Sequence, residues 1–190
     1  MRFALHQSLM HLEQLNLTYL TDEDRILLRI GFSIEDAEHS KQELQVFLTR
    51  RLLRKLWPTL MEAIGAHMRL NRPEAAFAAD ELVNMEYQKA VDDIKQSGSF
   101  DQAYSEENRK AVNGERPFLL EAIKFHLKAN EPLWIQFFPV QGGTIDLRLE
   151  TSLLHGFCKL LIDAEKTSGW DLELSLPKPE EMSIPAHRLN

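Results

Sequence analysis

Two short runs of this sequence carry side chains able to do chemistry, and both fall on stretches with helical spacing. The first, Arg50-Arg51-Leu52-Leu53-Arg54-Lys55, sets four cations on less than two helical turns. Guanidinium and ammonium groups in that arrangement bind carboxylates or phosphates. With Trp57 or Trp134 exposed to stack on a base, the same surface would suit nucleic acid. Cations at a helix N-terminus oppose the macrodipole, so their placement implies partners. Inside the chain these are Glu74, Asp80, Glu81 and Glu86; outside it, the acidic surface of another protein or of a second copy.

The second run, His155-Gly156-Phe157-Cys158, places an imidazole and a thiol three residues apart, within reach on one helix face. Thiolate chemistry would need that contact. Cys158 also lies on the apolar stripe of Leu154 and Leu161, where a small buried core residue is the expectation, so no catalytic residue is assigned.

Metal and cofactor signatures are sparse. A single cysteine excludes the Cys-x-x-Cys zinc sites, and His6, His11 and His39 form no ligand spacing. Asp22, Glu23, Asp24, Glu35, Asp36 and Glu38 lack the order of a calcium loop and read as solvated turn residues. Gly142-Gly143 suits a tight hairpin rather than a phosphate cradle, which needs a following helix N-terminus. No cofactor or metal is expected.

The elements that must carry these residues follow from a repeated pattern. Leu44, Val46, Leu48, Leu52, Leu53, Leu56, Trp57, Leu60 and Met61 align at constant offset with Ile145, Leu147, Leu149, Leu153, Leu154, Phe157, Cys158, Leu161 and Ile162. In each copy three alternating apolar residues lead into an apolar helix face. Upstream, Arg25–Ile34 matches Leu133–Val140, and Leu15, Leu17 and Tyr19 alternate as Ile123, Phe125 and Leu127 do. The chain therefore reads as an α+β fold of two βββα modules, 12–70 and 118–175, a candidate internal duplication with antiparallel sheets related by a pseudo-two-fold axis.

A long connecting helix is expected over 73–97, with Pro at its start. A flexible loop should cover 98–116, with Glu106–Val112 a candidate for a short helix, and 177–190 should be a disordered tail. Trp170–Leu174 is a candidate short strand. Pro58, midway along the first helix, should kink it or restart it.

Bulk properties bound the function. At 190 residues, with 44% hydrophobic and 27% charged residues, the chain makes a single domain with a sizeable core. The first residues lack a continuous apolar stretch and no later run is long enough to span a bilayer, so neither export nor membrane insertion is expected. One cysteine fits a reducing cytoplasm. Net charge is −7, yet Arg50–Arg72 carries six cations against Glu62, a local +5 that leaves −12 elsewhere. The leading expectation is a non-enzymatic module that binds an acidic protein surface, or itself, through Arg50, Arg51, Arg54 and Lys55 or a sheet edge. Nucleic-acid binding through the same helix is the first alternative, and an enzyme with a dispersed site between the modules is the second.

Overall fold

The computed structural model describes residues 2–3, 10–34, 41–96, 110–114 and 116–177. In chain order the elements are β1 (Arg2–Phe3), β2 (Met10–Leu20), β3 (Arg25–Ile34), β4 (Lys41–Thr49), α1 (Arg50–Asn71), a 3-10 segment (Pro73–Ala78) and α2 (Ala79–Gln96). Then follow β5 (Lys110–Ala111), β6 (Phe118–His126), β7 (Leu133–Pro139), β8 (Thr144–Leu149) and α3 (Thr151–Ser168). The fold is mixed α+β, with a mostly antiparallel sheet and three α-helices.

Strands β2, β3 and β4 form one antiparallel meander, and β6, β7 and β8 a second. Their turns use residues that tolerate left-handed backbone: Asp24 at φ 49°, and Gly142 and Gly143 at φ 86° and 85°. The meanders join where β4 runs parallel to β6, with Val46 opposite Phe118 and Phe47 opposite Leu119. The short strands exchange in matching fashion. β1, ahead of the first meander, lies parallel on β8 of the second; β5, ahead of the second, lies parallel on β4 of the first. Each meander's first strand also breaks register once, at Glu13 in β2 and Glu121 in β6, which stand at the offset that relates Leu15 to Ile123 (15 + 108 = 123; 13 + 108 = 121). A bulge at these points twists each strand away from its neighbour.

The helices cross over too, since α1 packs beside β6 and α3 beside β2. Of the aligned apolar pairs, every member is buried except Leu153, which is 42% exposed. They form one continuous core with the inward residues of both meanders. Leu28, Leu48, Leu53, Leu60, Phe137 and Leu161 are fully enclosed. Burial on this scale, about 25 cal/mol per Å² of apolar surface, is the main force holding the halves together.

Three local expectations need correction. Helix α1 runs unbroken through Pro58. The carbonyl of Arg54, which loses its partner there, belongs to an exposed residue. The connection opens as a 3-10 segment before α2, because Ala75 (φ −110°, ψ 17°) leaves helical geometry. Residues 170–174 do not form a strand, since Asp171 and Glu173 sit at φ 54° and 52°, incompatible with an extended ladder.

That last segment is nonetheless held firmly. Leu172 N–H donates to Glu165 Oε1 (2.7 Å), Trp57 Nε1 to Ser175 O (2.9 Å) and Asn84 Nδ2 to Pro177 O (2.8 Å). The candidate helix over Glu106–Val112 is replaced from residue 110 by β5 and a turn, and 106–109 lie outside the described residues. Most of the expected loop, 98–109, and the tail from 178 also lie outside them.

Candidate functional site

Thr49 ends β4 with extended backbone and its Oγ1 accepts the N–H of Leu52 (3.2 Å), so α1 starts abruptly at Arg50. Leu52, Leu53, Leu56 and Trp57 turn inward, which leaves Arg50, Arg51, Arg54 and Lys55 on the solvent side. All four are exposed and none forms an ion pair among the described residues. The carboxyl of Asp24 is held below its ordinary value first by the hydrogen bonds from Trp170 and Tyr19, then by the pull of Arg50.

The acidic groups of α2 are engaged elsewhere. Glu86 takes Arg72 (2.8 Å) and faces His155 Nε2 (3.7 Å), while Asp80 lies near Arg69 beside Gly65. The intramolecular pairing open to the basic run is therefore not made with α2.

Neither candidate base-stacking tryptophan is free. Trp57 is 6% exposed and its indole N–H is spent on Ser175. Trp134, on the outer face of β7, stacks against His126 (centroids 4.1 Å apart, 25° between planes) and lies under the Arg148 guanidinium at 5.3 Å. Its Nε1 donates to Asp146, which also accepts from Gln136.

The His155 and Cys158 pair is enclosed between α2 and α3. Cys158 has no exposed surface, and burial pushes its thiol up to about 12, so thiolate is scarce near neutrality. Burial likewise pushes His155 below its ordinary value, against the pull of Glu86, and leaves its Nδ1 without a hydrogen-bond partner. The Tyr87 hydroxyl beside them is raised to about 12, mainly by burial and further by Cys158 and Asp163. Tyr87 meets the imidazole edge-on at 6.0 Å. Among the described residues no cluster of three His, Cys, Asp or Glu could hold a metal ion. No described helix is long and apolar enough to cross a membrane.

What sequence reasoning missed is the depression that begins where the basic run ends. Between α1 and β6 lie two adjoining cavities, of about 230 and 410 Å³, which share Thr59, Ile123 and Phe125. Lys55 stands at one end, and the wall continues along α1 through Ala63 and Ala66. Further along α1 the helix is tied to the loop after β6 by His67 Nε2 donating to Glu131 O (2.9 Å) and Asn130 N–H donating to Asn71 Oδ1 (2.8 Å). A signal was present in the small residues Thr59, Ala63 and Ala66 on one helix stripe, but only the structure shows what they face. No protein family, no curated protein and no solved structure matches this chain.

Proposed function

We propose that this protein is a non-enzymatic binding module that engages an acidic protein surface through Arg50, Arg51, Arg54 and Lys55. The observation that carries the reading is four exposed cations at the start of one helix that form no ion pair among the described residues. The rest of the chain has a net charge of −11. Cations there weaken rather than stabilise the helix terminus, so a binding role accounts for them better than a structural one. Clustered charge of one sign steers a complementary partner and sets its register. The enclosure of Cys158 and His155 supports a role without thiol chemistry, and a lone buried cysteine fits a reducing cytoplasm. The crossed short strands, matched bulges and aligned core support descent of the two halves from one duplicated βββα unit.

A fluorescein-labelled deca-glutamate peptide and a single-stranded RNA oligonucleotide test the reading by anisotropy across a salt series. Binding of the peptide should weaken as salt rises, and replacing Arg50, Arg51 and Arg54 together by Ala should remove most of it. Tighter, arginine-dependent binding of the RNA, with a steep salt slope, would assign the surface to nucleic acid instead.

A further inference from the structure

We infer that the groove between α1 and β6 seats an extended segment of a partner protein, one that carries a large apolar or aromatic anchor flanked by carboxylates. The inference rests on the acidic-partner reading above and names what else that partner must bring.

The molecule holds its own template for such an occupant. A cavity of about 260 Å³ lies between α3 and β2, lined by Leu153, Gly156, Phe157 and Leu160. These positions correspond one for one to Leu52, Lys55, Leu56 and Thr59 of the α1 groove (52 + 101 = 153; 59 + 101 = 160). On the α3 side the chain itself walls this space and covers its far end. Ile94 reaches in from α2 to within 3.1 Å of where a Cβ on Gly156 would stand. Trp170, only 3% exposed, packs edge-on against Tyr19 of β2 with ring centroids 5.8 Å apart. On the α1 side no described residue plays either part. Leu127, the counterpart of Tyr19 (19 + 108 = 127), is 40% exposed at the mouth of the larger cavity. The depression that a tryptophan covers beside Tyr19 in one half is left open beside Leu127 in the other, and that opening fits an aromatic or large apolar side chain from outside.

Backbone and charge narrow the occupant to an extended acidic segment. Among the described residues β6 pairs with β4 only at Phe118 and Leu119, and from Leu120 onward it is hydrogen-bonded on the β7 side alone. Its other edge faces the groove, where an extended backbone can add to the ladder and alternate side chains can point at Ile123 and Phe125. The end of the groove nearest the start of α1 carries Lys55 opposite Glu121, and Arg51 and Arg54 beside Lys55 on the same exposed helix leave that end with a surplus of cations, which favours carboxylates in the segment's first half.

The test uses two dye-labelled peptides of equal charge, Glu-Val-Glu-Trp-Glu-Val-Glu and Glu-Ser-Glu-Ser-Glu-Ser-Glu. The first should bind about tenfold more tightly or better. Ala66→Phe, which fills the larger cavity, should erase that difference while leaving the weaker, charge-driven binding. In the unmodified chain the first peptide should slow amide exchange across Leu120–Leu127, a readout that decides the matter should Ala66→Phe not fold. Equal affinities, a difference that survives Ala66→Phe, or unchanged exchange on β6 would each overturn the groove while sparing the acidic-partner reading. Binding of neither peptide would overturn both. A self-associated species that Ala66→Phe dissolves would give the groove to a second copy and overturn the assignment.

Discussion

Replacing His155 by leucine should stabilise this protein, and do so most in mild acid. The imidazole is 1% exposed, its Nδ1 has no hydrogen-bond partner, and its Nε2 stands 3.7 Å from Glu86. An unsatisfied buried polar atom costs about 1–3 kcal/mol. Leucine removes that cost and gives up the edge-on contact with Tyr87, worth about 0.5–1.5 kcal/mol. Glu86 keeps Arg72 at 2.8 Å, so no carboxylate is stranded. The balance is a gain of about 1 kcal/mol at about pH 8.

The acid dependence has a definite sign. Burial places the folded imidazole's pKa below its unfolded value of about 6.5. The unfolded chain therefore takes up the proton first. The stability of the neutral form is intact above about pH 6.5 and drains as pH falls toward the lowered folded value, by at most about 1.4 kcal/mol per pH unit. His155→Leu should lack this component. Urea unfolding of both proteins at about pH 8 and about pH 5.5 measures it, because every other titrating group cancels in the comparison. A variant destabilised at pH 8, or one whose stability falls between the two pH values as steeply as the wild type's, would refute the reasoning.

Three further outcomes follow from local geometry. Cys158 should resist iodoacetamide in the folded protein at about pH 8 and react promptly in urea, since its thiol is enclosed and raised to about 12; fast native labelling would contradict its packing. Thr49→Ala should cost about 1 kcal/mol by removing the side-chain cap on Leu52 N–H, measured as a shift in urea midpoint with unchanged slope. Gly156→Ala should be neutral or slightly stabilising. The gain in helix propensity, up to about 1 kcal/mol, meets a contact at 3.1 Å with the rotatable tip of Ile94, whereas Gly156→Val should lose stability outright.

The parts of the fold legible in the sequence were those set by apolar periodicity. The aligned series from Leu44 to Met61 and from Ile145 to Ile162 is core along almost its whole length, because one-face burial imposes a period that chance rarely sustains. Leu153 departs from it because it stands at the rim of the α3 cavity. The joining of the meanders was not legible. The parallel contact of β4 with β6 involves two residue pairs, and the lodging of β1 on β8 two more, too few to leave a pattern. Pro58 does not restart the helix, since one missing hydrogen bond on an exposed turn leaves the rest of α1 in place. For the site, charge was readable but its partners were not. Arg72 rather than the basic run takes Glu86, since Arg72 stands at the end of α1 that leads into α2.

The crossed short strands bear on how the chain comes into being. β1 pairs with Thr144 and Ile145, and β2 receives its helical cover from α3, so two early strands find part of their surroundings in residues made much later. During synthesis Leu12 and Leu15 must wait, uncovered on that side, until α3 has emerged, because the contact that shields them joins residues far apart in sequence. A ribosome-bound first half is thus an unfinished object rather than a small stable domain, and cutting the gene between the meanders should yield two pieces that become soluble only when made together.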